Sequence, residues 1–252
     1  MLKNKDFLGF FNLGPIPSVL PERLTRVTAI YAHRGLHTVE RENTSAAFVA
    51  AGRLGVTGVE LDVRRTLDNQ LVVHHDPIAQ GVVIAQTLRA ELPSYVEDFA
   101  TVMDACRGLH VNVEIKNIKD SEEPTYDDTG DFTRQVVSFL HETQWSSSVI
   151  VSSFDEVTCA LVRKLDPEIA VGWLLWGVPL DSALTQAYVL GLNAVHPHFT
   201  SVTLEALERS RELGLDVNVW TVNKPSDIKA MAQLGVASII SDDPALALSL
   251  VG

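Results

Sequence analysis

Strand-like apolar runs alternate with helical patterns along nearly the whole sequence, and this alternation restricts the fold more than any other feature. The runs are Ile30–His33, Val59–Val63, Val111–Ile115, Val149–Ser152, Ala170–Leu174, Asn193–His196, Val217–Trp220 and Ser238–Ser241. Between them, apolar residues recur at helical spacing. In Thr203–Leu213, Leu204, Leu207 and Leu213 fall near one face before Gly214, and in Pro225–Leu234, Ile228, Met231 and Leu234 do so before Gly235. Thr44–Leu54, Val96–Cys106, Phe132–Glu142, Glu156–Leu165, Asp181–Leu190 and Ala245–Leu250 read the same way. About eight strands and eight helices in roughly 250 residues predict a single-domain (β/α)8 TIM barrel. An open doubly wound sheet is the rival, but no Gly-rich loop follows the first strand. The run Leu71–His75, after the turn-like Asp68-Asn69, is expected to form a short excursion after strand two. The barrel is assigned to residues 29–252. Residues 1–28 are expected to pack on it, including the apolar stretch Phe7–Leu13, which is too short for a membrane span and lacks a signal-peptide pattern.

Within this frame VELDV (Val59–Val63) stands out. Residues two apart on a strand face the same way, so Glu60 and Asp62 share one face while Val59, Leu61 and Val63 pack on the other. In Val111–Lys116 the same period turns Asn112, Glu114 and Lys116 inward. Other polar residues end other strands: His33 and Arg34, His196, Asp242, and His74-His75-Asp76 on the excursion. Barrels carry their chemistry at the strands' C-terminal ends, so this clustering favours a site there. Taken singly, each residue has a plainer reading. Glu114 and Lys116 could simply pair with each other, His33 and His75 could be satisfied core or rim histidines, Arg34 a rim charge and Trp220 core. His37, His110, His141 and His198 are assigned no role, and Cys106 and Cys159 read as small buried residues.

Charge sharpens the choice. Two carboxylates about 4 Å apart repel by roughly 4 kcal/mol at an effective dielectric near 20. Glu60, Asp62 and Glu114 therefore call for a cation if all three stay ionised. An all-oxygen set without Cys suits Mg²⁺ or Ca²⁺ rather than zinc. The chain carries a net charge of −12 with no basic cluster, which argues against nucleic acid as a partner. A divalent ion with Arg34 and Lys116 would nevertheless make a local positive pocket suited to phosphate oxygens. With two cysteines and no metal-ligand spacing between them, a reducing, cytoplasmic compartment is the expectation.

The motifs AHRG (Ala32–Gly35), ENT (Glu42–Thr44), VELDV, T-x-D (Thr66, Asp68), LVVHHDP (Leu71–Pro77), VEIK (Val113–Lys116), SSF (Ser152–Phe154), WTVN (Trp220–Asn223) and SDDP (Ser241–Pro244) run in the order found in the glycerophosphodiester phosphodiesterase family, which the chain resembles from residue 30 onward. The resemblance implies a TIM barrel that uses one divalent cation to hydrolyse glycerophosphodiesters to glycerol 3-phosphate and an alcohol. It puts the catalytic histidines on His33 and His75, the metal carboxylates on Glu60, Asp62 and Glu114, the phosphate-holding cations on Arg34 and Lys116, and hydrophobic walls on Phe154 and Trp220. Of the doubled histidines, His75 fits the motif and His74 is expected to face away. Two positions depart from the family pattern. Ile78–Pro93 is short and lacks the Arg-Thr-Thr and glycine-containing stretch, and Asn117 stands where a proline often follows E-x-K. Phospholipase D-like action on lysophospholipids or sphingomyelin would need an apolar groove, for which Phe7–Phe11, Trp173 and Trp176 are the candidates. A non-catalytic phosphodiester-binding barrel is the alternative from another class. A barrel isomerase or aldolase would leave both histidines unexplained.

Overall fold

The computed structural model describes residues 27–119 and 126–251; the stretch Phe7–Leu13 lies outside them, as does all but the end of the 1–28 segment. Eight parallel strands form the barrel: β1 (Ala29–His33), β2 (Gly58–Arg65), β3 (His110–Ile115), β4 (Val149–Ser153), β5 (Ala170–Leu175), β6 (Ala194–Pro197), β7 (Asp216–Val219) and β8 (Ser238–Ser241). Each pairs with its sequence neighbours, and β1 closes the ring by pairing with both β2 and β8. The helices outside are α1 (Ser45–Leu54), α2 (Phe99–Ala105), α3 (Asp131–Glu142), α4 (Glu156–Leu165), α5 (Leu180–Val189), α6 (Leu204–Leu213), α7 (Pro225–Leu234) and α8 (Pro244–Val251). Thr44, Asp155 and Thr203 cap the N-termini of α1, α4 and α6 with side-chain oxygens, and Gly214 and Gly235 end α6 and α7 where the sequence predicts. None of the described helices is long and apolar enough to cross a membrane.

The main core lies between barrel and helices. Val59, Leu61 and Val63 of β2 and Val111, Val113 and Ile115 of β3 are fully buried there with Val102 and Met103 of α2. The period-two reading of these strands therefore holds, and the polar positions face the barrel axis. Register then aligns the polar residues: His33 lies beside Glu60, Asp62 beside Glu114 and Glu114 beside Ser152.

The excursion is larger than the run Leu71–His75. Strand Leu71–Val73 folds back antiparallel on the end of β2, with Val63 opposite Val73. Glu97–Asp98 adds to its other edge, which takes those residues out of the predicted helix Val96–Cys106 and starts α2 at Phe99. Ile78–Ala79 and Val82–Val83 make a small hairpin, and Val72, Ala79, Ile84, Leu92 and Val96 give the excursion a core of its own. A helical period alone could not show that Glu97 and Asp98 would be drawn into pairing with a distant strand.

His196, at the end of β6, sits inside the barrel rather than at its mouth. It is fully buried, and a Cβ on Gly172 of β5 would collide with its ring, so only glycine leaves room for the imidazole. Asn218 Nδ2 donates to His196 Nε2 at 2.9 Å, and Ser238 Oγ donates to Asn218 Oδ1 at 2.8 Å. The ring is neutral, and burial pushes its pKa from 6.5 down to about 3. In the unfolded chain it would take up a proton far more readily. The resulting stabilisation is complete above the unfolded value and falls as pH drops, by about 1.4 kcal/mol per unit. Between roughly pH 7.5 and pH 5, His196→Gln should therefore lose about 2 kcal/mol less stability than the parent chain. Urea unfolding at the two pH values measures this, and equal losses would show that the buried imidazole does not set the acid limb.

Candidate active site

At the C-terminal mouth of the barrel a cavity of about 120 Å³ is lined by His33, Arg34, Glu60, His75, Glu114, Lys116, Phe154 and Trp220. These are eight of the nine residues singled out in the sequence. The ninth, Asp62, lies directly beneath them, 3.5 Å from both Arg34 Nε and Lys116 Nζ. A polar cavity of about 310 Å³ adjoins this one past Arg64 and Lys116, lined also by Arg65, Thr66, Asp127 and Phe132.

The three acids bring ligand oxygens within 4.8 Å of one another. Glu60 and Asp62 are 3% and 1% exposed, and Glu60 Oε1 and Asp62 Oδ1 have no hydrogen-bond partner among the described residues. Burial, then the charges of Asp62 and Glu114, push the Glu60 carboxyl well above its ordinary range. Burial pushes Asp62 the same way, but Lys116, His75, Arg34 and the Asn43 hydrogen bond outweigh it and hold Asp62 well below that range. Protein groups thus neutralise one acid of the pair and leave the other short of positive charge. A divalent cation with oxygen ligands fits that deficit, and these two carboxylate oxygens are of the right chemistry to bind it.

The loop after β1 supplies much of the scaffold. Arg34 and Asn43 both adopt left-handed backbone conformations, with φ of 55° and 56°. This turns the Arg34 N–H onto Glu60 Oε2 at 3.0 Å and lets Asn43 N donate to Arg34 O at 3.0 Å. Asn43 Nδ2 then donates to Asp62 Oδ2 at 2.7 Å. Gly35 (φ 82°) packs so closely on α1 that a Cβ would lie 2.8 Å from Ala47 backbone and side chain. The Arg34 guanidinium reaches Glu42 at 3.1 Å. The HRG and ENT motifs are therefore two halves of one clamp. Lys116 Nζ donates to Glu114 Oε1 at 2.7 Å, and although burial opposes its charge, Glu114 and Asp62 raise its pKa.

Each of the paired histidines has a carboxylate on Nδ1. His75 Nδ1 lies 2.7 Å from Asp76 Oδ1, and His33 Nδ1 lies 2.6 Å from Asp242 Oδ1. A carboxylate at Nδ1 selects the tautomer with the proton there and leaves Nε2 as the exchanging nitrogen. His33 Nε2 is 3.8 Å from Glu60 Oε2. Burial lowers the His75 pKa despite the Asp62 charge, and Lys116 and Arg34 add to the lowering. Asp242 is gripped in turn by Asn223, whose Nδ2 donates to Oδ2 at 2.6 Å and whose Oδ1 accepts from the Asp242 N–H at 2.9 Å. The sequence pattern puts Asp242 at a strand end and Asn43 and Asn223 within motifs, and assigns them no task. His37, passed over as well, also reaches Asp242. Phe154 and Trp220 meet edge to face at 5.5 Å. Trp220 follows β7 rather than ending it, because only an isolated bridge to His198 continues the pairing there. His74 faces away from the cavity, toward Tyr95 at 6.1 Å. Trp173 is 8% exposed with Nε1 bonded to Phe154 O, so it lines no groove, whereas Trp176 is 69% exposed beside Trp220.

The sequence matches the profile described as the Glycerophosphoryl diester phosphodiesterase family over residues 33–246. A glycerophosphodiester phosphodiesterase of Caldanaerobacter subterraneus subsp. tengcongensis is 29% identical over 89% of this chain and 98% of its own length. One from Bacillus altitudinis is 27% identical over 89% and 98%. Among solved structures, a glycerophosphodiester phosphodiesterase from Parabacteroides distasonis superposes with a TM-score of 0.79 at 24% identity, covering 90% of this chain and 98% of that one. An Oleispira antarctica phosphodiesterase, solved with the product sn-glycerol-3-phosphate, gives 0.79 at 21% identity over 89% and 97%. At these identities the structural likeness is one of fold.

Asn43 is a neutral side chain that donates to Asp62, and outer ligands of this kind typically contribute about 10- to 100-fold to metal affinity. Asn43→Ala should weaken divalent-cation binding by about that factor. Isothermal titration of metal-stripped protein measures it; unchanged affinity would mean that the Asn43 clamp does not support the acid cluster.

Proposed function

The chain belongs to the glycerophosphoryl diester phosphodiesterase family and is an enzyme that hydrolyses glycerophosphodiesters, and on that premise we propose how its own residues divide the work. One observation carries the reading: two histidines, each with a carboxylate on Nδ1, line the same small cavity as Glu60, Glu114 and two cations, with Asp62 clustered behind the two acids. Glu60, Asp62 and Glu114 hold one divalent cation, Mg²⁺ or Ca²⁺. When bound, that ion supplies Lewis-acid stabilisation of a phosphoryl oxygen and lowers the pKa of a nearby hydroxyl.

The chain's own groups do the rest. Arg34 and Lys116 hold the phosphate oxygens and offset the charge that accumulates on them. Of His33 and His75, one removes the proton of the attacking hydroxyl, from water or from the glycerol 2-position, through its unprotonated Nε2. The other delivers a proton from Nε2 to the departing alcohol oxygen. Asp242 and Asp76 keep each ring in the tautomer that makes this possible, much as the acid of a Ser-His-Asp triad does. Phe154 and Trp220 form the apolar wall against which the glycerol carbons pack. The products are glycerol 3-phosphate and an alcohol such as choline or ethanolamine. The wall is small and Trp173 is spent on the core, which favours soluble diesters over acylated lysolipids as substrates.

With glycerophosphocholine as substrate and glycerol 3-phosphate as readout, His33→Ala and His75→Ala should each lower kcat by about 10²- to 10⁴-fold. Turnover within a few-fold of the parent in either variant would remove that histidine from the mechanism. Chelator treatment should abolish activity, and Mg²⁺ or Ca²⁺ should restore it. Full activity in stripped protein would exclude the three-acid site. A lysophospholipid turned over faster than the soluble diester would overturn the substrate assignment.

A further inference from the structure

A second group of metal-ligating side chains stands beside the acid cluster. His33 at the end of β1, His37 in the turn that follows, and Asp242 after β8 offer ligand atoms that all lie within 4.8 Å of one another. Asp242 Oδ1 is shared, with His33 Nδ1 at 2.6 Å and His37 Nε2 at 3.1 Å. The two rings meet edge to face, with centroids 6.3 Å apart. All three residues are partly exposed, so an ion could reach them from solvent. Asn223 holds the far oxygen of Asp242 and its backbone N–H, which fixes the carboxylate toward the histidines.

The donor set differs in kind from the acid cluster. Three carboxylates suit a hard ion; two imidazoles and one carboxylate suit zinc, with water completing a tetrahedron. We propose that His33, His37 and Asp242 form a second, inhibitory metal site that takes Zn²⁺ in preference to Mg²⁺ or Ca²⁺. The ion accepts the lone pairs of His33 Nδ1 and His37 Nε2 and one oxygen of Asp242. Metal on His33 Nδ1 and His37 Nε2 leaves the His33 ring its one proton on Nε2 and the His37 ring its one proton on Nδ1, and any second ring proton passes to solvent. No electrons are exchanged. His33 Nε2, once protonated and locked, can no longer take up a proton, and the ring no longer turns over between its two states. The inhibitory consequence, unlike the binding itself, rests on the role proposed above for His33.

The test is zinc binding by competition with a chromophoric chelator, at saturating Mg²⁺, with turnover followed in parallel. The parent chain should bind one Zn²⁺, and its turnover should fall as that site fills. His37→Ala and His37→Gln should each weaken zinc binding by about tenfold or more. Unchanged Mg²⁺ affinity reports that these variants are folded. The double variant Glu60→Gln/Asp62→Asn should retain zinc affinity within a few-fold, and Co²⁺ bound to it should absorb in the visible as a nitrogen-ligated ion does. Zinc affinity unmoved by either His37 substitution, or lost in the double variant, overturns the site. Zinc bound in a His37-dependent way without loss of turnover supports the site but overturns both its inhibitory effect and the role given to His33.

Discussion

Three carboxylates gathered at the top of β2 and β3 set the terms for everything around them. Two such charges in contact cost about 4 kcal/mol at an effective dielectric near 20, and burial adds to that. The chain opposes the cost with groups that arrive by different routes. Lys116 comes from the same inward face as Glu114 and bonds to it. Arg34 contributes its backbone N–H to Glu60 and its guanidinium to Asp62. Asn43 adds a neutral donor to Asp62. Among the described residues these leave one oxygen on each of Glu60 and Asp62 without a hydrogen-bond partner, although Lys116 Nζ stands 3.5 Å from the Asp62 oxygen. Such an arrangement is poor as a structural ion pair network and suitable as a place for a cation, because ligand oxygens of all three acids lie within 4.8 Å of one another.

That clamp uses strained backbone. Left-handed φ values at Arg34 and Asn43 each cost of the order of 1–2 kcal/mol for a residue with a Cβ. They persist because the loop is fixed at both ends: Gly35 seats directly on Ala47, and Thr44 caps α1. In this conformation a backbone N–H, a guanidinium and an amide all face the two acids of β2. A relaxed loop would keep the same residues but aim them elsewhere. Geometry at the acids is thus bought with helix packing some distance from the mouth.

Most of the barrel was legible because its evidence is local. Strand and helix periods fix which residues face the axis, and adjacent strands differ by short helical crossovers, so Glu60, Asp62, Glu114 and Lys116 could be placed together from the period alone. What could not be read depends on pairing between distant segments. Glu97 and Asp98 look like the start of a helix until Leu71–Val73 offers them an edge. His196 reads as one more polar strand end until Gly172 opens a space for it inside the barrel. The contact between His33 and Asp242 spans 209 residues, and no pattern near either residue announces it. His37 looked unremarkable for the same reason. Its partner is supplied by β8, and only closure of the ring brings that partner within reach.

That difference separates the two histidines. His75 receives its carboxylate from Asp76, the next residue, so its tautomer is set wherever the HD segment keeps its local shape. His33 receives its carboxylate from the residue that follows the last strand, and only because β1 pairs with β8 as well as with β2. A barrel open at the β1–β8 seam would keep the acids of β2 and β3, Lys116 and an oriented His75, yet His33 would lose the group that fixes its ring. The register of Ala32 against Ser241 therefore helps to set the His33 ring in the cavity, although neither residue lines it.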